Sequence, residues 1–143
     1  MKKIKLLLLF IGLIVLTTGV SAQYKMGLMY NPQGKMLLNE TNKGFSLVNP
    51  LYAVLTYEKG KNSVSPMFCL NDNSVGVFAS HNFNKTNVYL VGAKSTQNQD
   101  LYLGLGYGIN VPTFSLFVEF GSLTNKWEPQ IYVGMSIPVM FNL

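Results

Sequence analysis

Residues 101–111 alternate without a slip: Leu101, Leu103, Leu105, Tyr107, Ile109 and Val111 take the odd positions, and Tyr102, Gly104, Gly106, Gly108 and Asn110 the even ones. A strand sends successive side chains to opposite faces, so one face of this segment is greasy and the other almost bare. If the leucines turned inward, three glycines would face water, each weakening the strand by roughly 0.5–1 kcal/mol with no packing in return. If the leucines turn outward against an apolar medium, the glycines line a narrow interior and leave room for bulky neighbours. Only the second arrangement gives both rows a physical purpose. It also constrains the rest of the chain, which must then be small, hydroxylic or aromatic inside and apolar outside.

The two following segments repeat the inversion. Phe114, Leu116, Val118 and Phe120 alternate with Thr113, Ser115, Phe117, Glu119 and Gly121, and Ile131, Val133, Met135 and Ile137 with Gln130, Tyr132, Gly134 and Ser136. Phe117, Tyr132 and Tyr102 are expected to fill the space beside the three glycines, as the centre of an eight-stranded barrel requires. Segments 45–57 and 86–94 are apolar on both faces and do not discriminate.

Aromatic and β-branched residues recur throughout in short runs bounded by Asn, Asp, Gly, Lys and Pro, with no helical periodicity between them. This rhythm predicts eight strands, at 24–30, 45–57, 62–70, 74–83, 86–94, 101–110, 113–121 and 130–141. Residues 35–38 either extend the first strand past a bulge or form a separate piece. Connections alternate in length: 59–61, 84–85 and 111–112 are tight, whereas 31–44, 95–100 and 122–129 are longer, with the short 71–73 as the exception. Short turns at one end and longer loops at the other are the pattern of an outer-membrane barrel. Tyr30, Tyr57, Phe83, Trp127 and Phe141 fall near expected strand ends, where amphipathic rings favour a membrane interface.

The first 22 residues read as an export label. Lys2, Lys3 and Lys5 precede an apolar run over residues 6–16, and Val20, Ser21 and Ala22 supply the small residues before a cleavage point at Gln23. The run is too short for a helical span of roughly 20 residues. The expected organisation is a signal peptide at 1–22 and one barrel domain at 23–143. Three of the eleven lysines lie in the leader, leaving eight lysines against six acids and a net of +2 with no arginine. Nothing in that balance supports nucleic-acid binding. Cys69 is the single cysteine, so no internal disulfide forms.

Strand rhythm and turn parity over residues 23–143 resemble the small eight-stranded outer-membrane barrels. The resemblance implies an all-β, antiparallel up-and-down transmembrane barrel of a Gram-negative cell envelope, with the lipid bilayer as its medium and an envelope or surface protein as its expected partner. Some barrels of this size are lipid A deacylases carrying a His-x-Ser motif, but here His81, the only histidine, is followed by Asn82 and Phe83. Ser80, His81 and Glu119 are the components of an acyl hydrolase, yet strand directions set His81 near the tight-turn rim and Glu119 near the other. No catalytic, cofactor or metal-binding residue is therefore assigned, and no enzyme activity is expected. Glu119, an inward carboxylate, needs a partner, with Lys94 and Lys126 as candidates. The leading expectation is a non-enzymatic surface or envelope protein acting through short external loops. A narrow, porin-like pore for ions or small solutes and a soluble periplasmic ligand-binding barrel are the alternatives. Oligomeric state is not readable from the sequence.

Overall fold

The computed structural model describes residues 22–39 and 44–143; the expected signal peptide, save Ala22, lies outside the described residues. Ten strands are present among the described residues: β1 (Gln23–Tyr30), β2 (Gln33–Leu37), β3 (Phe45–Val48), β4 (Leu51–Lys59), β5 (Asn62–Cys69), β6 (Val75–Phe83), β7 (Thr86–Lys94), β8 (Leu101–Asn110), β9 (Ser115–Leu123) and β10 (Glu128–Asn142). β1 pairs with both β4 and β10, which closes an antiparallel barrel in the order β1-β4-β5-β6-β7-β8-β9-β10. No helix is present among the described residues.

The apparent surplus of strands has a simple cause. β1 and β2 keep one register against β10, from Tyr30 opposite Ile137 to Gln33 opposite Gly134, and β4 and β3 likewise continue one line against them. Between them stand Pro32 and Pro50, which lack the N–H needed for the ladder. The breaks are gaps in hydrogen bonding and not bulges: Asn31 N still donates to the Pro50 carbonyl at 3.0 Å, and Met135 N to that of Pro32 at 3.0 Å. The barrel thus has eight staves, and the stretch 31–44, expected as a loop, contains β2, which continues the first stave and pairs with β3 at the start of the second. β9 and β10 likewise run further than expected, reducing the last long connection to residues 124–127.

At one end the tight turns 60–61 and 84–85 place Gly60 (φ 60°) and Asn84 (φ 53°) at their first loop positions, residues that tolerate the left-handed region demanded there. The same end holds the start of β1 and the close of β10, joined by Leu143 N donating to Tyr24 O at 2.9 Å.

Strand stagger sets the width. Stepping sideways through paired residues from Gln23, the register passes Glu58, Ser63, Ser80, Tyr89, Gly106, Glu119 and Tyr132, and returns to the first stave at Lys35, twelve residues from its start. That stagger exceeds the value of about eight that closes an eight-stranded parallel barrel, so the strands tilt more and enclose a wider lumen.

The leucine rows point outward. Leu103 is 51% exposed, Leu105 54%, Leu116 47% and Val133 60%, whereas Gly104, Gly106, Gly108 and Gly121 on the alternate positions are buried. Tyr24, Tyr57, Phe83 and Phe141 ring the tight-turn end on the same outer face, with the Tyr24 and Tyr57 rings 5.3 Å apart. Of the aromatics expected at the rims, Tyr30 instead sits within the wall, opposite Leu51 and Ile137.

Candidate functional site in the barrel lumen

Every inward side chain follows from the parity set by β8. At the tight-turn end the lining is polar and satisfied. Lys25 Nζ meets Glu58 Oε2 at 2.7 Å, Thr56 bonds Ser65 at 2.8 Å, Ser63 bonds Ser80 at 2.7 Å, and Asn87 Nδ2 donates to Asn110 Oδ1 at 2.8 Å. Above it lies an aromatic tier in which Phe78 stacks against Tyr89 at 4.6 Å and Tyr89 meets Phe117 edge-on at 6.4 Å. Higher still, Tyr102 donates to Glu119 Oε1 at 2.5 Å, and Tyr132 donates to Gln130 Oε1 at 2.6 Å.

The glycine rows are the counterpart of this crowding. A Cβ on Gly106 would strike the Tyr89 ring, one on Gly121 the Tyr102 phenol, and one on Gly108 the Asn87 amide at 2.6 Å. Tyr102 fills space beside glycine as expected, but the residues over Gly106 and Gly108 are Tyr89 and Asn87, not Phe117 and Tyr132. Their strand, β7, is apolar on both faces, which hid its inward row.

Despite the packing, a cavity of about 970 Å³ remains, lined by residues from both ends of the barrel, among them Asn82 and Ser115 below and Asp72 and Asp100 above. At the upper rim Asp100 receives Asn125 Nδ2 at 2.7 Å and Lys126 Nζ at 3.1 Å. These bonds, the amide's first and the ammonium's next, hold its carboxyl below the usual carboxylate range.

The residues singled out in the sequence do not converge. Ser80 faces the lumen and bonds Ser63, whereas His81 faces outward, with its Nδ1 2.7 Å from Asn62 Oδ1 and its ring 4.5 Å from that of Phe83. Adjacent strand residues point to opposite faces, so this pair is separated by the wall itself. Glu119 stands midway along β9 and not at a rim. Its expected lysine partners are replaced by a phenol, Tyr102, with Tyr89 lining the same cavity. Lys94 ends β7 on an exposed, outward position, and Lys126 is taken by Asp100. Cys69 is buried at 2% exposure on the inward row. No three His, Cys, Asp or Glu side chains cluster among the described residues. Tyr52, Tyr89, Gln130 and Lys35 line or flank the lumen without having been singled out in the sequence. The signal that would find them is parity carried from β8 across each pairing.

No protein-family model matches the chain, and comparison with curated proteins and with solved structures finds no significant similarity.

Proposed function

We propose that this chain is a small integral β-barrel of a bacterial outer membrane with a non-enzymatic surface or envelope role. The observation that carries the reading is the outer face itself, where apolar rows run along every stave while charge gathers at the rims and in the lumen. In water such a surface is far larger than the apolar patches of a few hundred Å² that soluble monomers expose. In lipid it is the band that barrels present to acyl chains, and strands of nine and ten residues match the roughly 9–11 needed to cross when tilted by about 45°. Closure through the β1–β10 pairing leaves no unpaired edge in the wall below the β2–β3 hairpin, as the hydrocarbon requires. An interaction role is favoured by the β2–β3 hairpin, whose β3 pairs only with β2 among the described strands and presents Phe45 and Leu47, 69% and 74% exposed.

The test is membrane fractionation followed by gel mobility with and without boiling. Recovery in the outer membrane with a heat-dependent shift is expected; recovery in a detergent-free periplasmic wash would overturn the reading. The lumen favours one second reading, a narrow conduit for small solutes, because its cavity reaches residues at both rims. Single-channel conductance in planar bilayers decides that point, and steps absent at every voltage would remove it.

A further inference from the structure

We infer that the upper lumen is a binding site for a small organic cation, an amine or quaternary ammonium compound, held between the Glu119 carboxylate and the tyrosine rings around it. Glu119 opens onto the 970 Å³ cavity, a volume within the roughly 300–1,000 Å³ range of small-molecule sites. Tyr102 donates a hydrogen bond to its carboxylate, and Tyr52, Tyr89 and Tyr132 line the same cavity. The ion pairs of the described residues are Lys25–Glu58 and Lys126–Asp100, and neither engages Glu119. A carboxylate inside a barrel without a formal counter-charge is costly, and a bound cation removes that cost.

The walls suit an ammonium group. The Tyr102 and Tyr132 rings meet at 88° with centroids 5.7 Å apart, so they form two sides of a corner. The face of an aromatic ring attracts a cation, most strongly where water is excluded. Lys35 Nζ already stands 6.0 Å above the Tyr132 centroid, an intramolecular example of the same chemistry and a competitor for it. The carboxylate and the ring faces both select a cation and reject an anion. A single carboxylate among phenols lacks the several oxygens a divalent metal would take. Asp72 at the long-loop rim of the same cavity gives an incoming cation a favourable approach.

The test is calorimetric titration of choline into the purified protein in a maltoside detergent, which carries no ammonium headgroup. 3,3-Dimethylbutan-1-ol, the neutral isostere, serves as the control. Saturable choline binding is expected, with the alcohol at least about tenfold weaker, the size of a desolvated cation–ring and carboxylate contribution. Glu119→Gln is expected to weaken choline by a similar factor, and Lys35→Met to strengthen it severalfold by removing the resident ammonium. Equal binding of choline and the alcohol, or no choline binding at all, would overturn the proposal. So would a Lys35→Met protein that binds choline no better than the parent, a comparison that stands even if Glu119→Gln fails to fold. None of this depends on the membrane: a periplasmic location would remove that reading and leave the titration meaningful.

Discussion

The wall built from β8 and β9 and the wall built from β1 to β4 solve the same closure problem in opposite ways. β8 keeps an unbroken ladder and an almost bare inner face, so bulky side chains lie across it and its neighbour: Tyr89 of β7 over Gly106, and β8's own Tyr102 over Gly104 and over Gly121 of β9. The other wall carries bulk and charge inward, with Lys25, Lys35, Tyr52 and Glu58, and its ladder is cut by Pro32 and Pro50. The lumen is therefore eccentric, smooth on one side and furnished on the other. Outside, both walls are alike, with Leu28, Leu55, Leu105 and Val118 all exposed. The outer surface answers to one medium, whereas the inner surface is divided between packing and polar contacts.

The strongest challenge to that contrast is a charge on the smooth wall's outer face. Leu105→Arg places a guanidinium in the middle of the apolar band, where a bilayer penalty of about 2–4 kcal/mol is expected. Denaturant unfolding of the protein folded in vesicles reads it. A loss below about 0.5 kcal/mol, the range of an ordinary solvent-exposed site, would mean that the leucine row does not face lipid.

Next in size is the inner face of the same strand. Gly106→Val adds atoms where the Tyr89 ring already lies, and overpacking of this kind typically costs about 1–3 kcal/mol. The double change Gly106→Val with Tyr89→Ala should recover much of that loss, since the clash partner is gone. Lack of recovery in unfolding midpoints would show that the glycine serves the backbone and not its neighbour.

On the furnished wall the expected effects are smaller. Pro50→Ala supplies an N–H to the Asn31 carbonyl, and Pro32→Ala one to that of Met135, at paired positions whose reciprocal bonds are already made. A net gain of about 0.5–1.5 kcal/mol per bond is opposed by about 0.4–1 kcal/mol from a more flexible unfolded chain. Stability should thus change little, while the newly introduced amide at residue 50 or 32 exchanges slowly. Fast exchange at the new amide would mean that the two breaks are true bends.

The contrast between the walls also explains what could be read from sequence. The β8 row was transparent because glycine on one face makes the parity visible by itself. The 86–94 stretch was opaque because its inward Tyr89, Val91 and Ala93 are as apolar as its outward Val88 and Leu90: an aromatic tier inside the barrel erases the alternation. Pro32 falls in an expected loop and Pro50 inside the expected strand 45–57, and neither announces the gap it makes in one continuous ladder, since a missing N–H is a local fact while an unbroken register is a pairing fact. The partner of Glu119 was hidden for the same reason. Tyr102 reaches it through strand stagger, so no spacing along the chain announces it, and lysines nearer in appearance were favoured instead.

The smallest effect belongs to the rim, where Asp100 ties the 95–100 loop of β7–β8 to the 124–127 turn of β9–β10 through Asn125 and Lys126. Its carboxyl titrates lower in the folded protein than in the unfolded chain, where the ordinary carboxylate value applies. A depressed carboxylate contributes stability that is complete above the unfolded value and is lost as pH falls through the folded one. The tie should hold unchanged from neutral pH down to the ordinary carboxylate range and loosen only below it. Amide exchange at residues 125 and 126 measured across that range reads the change. Asp100→Asn keeps an acceptor for the Asn125 amide but removes the charge that holds Lys126, so these amides should exchange faster at neutral pH and lose their acid dependence. Loosening of the parent loop already well above the carboxylate range would mean that a group other than Asp100 holds the two connections together.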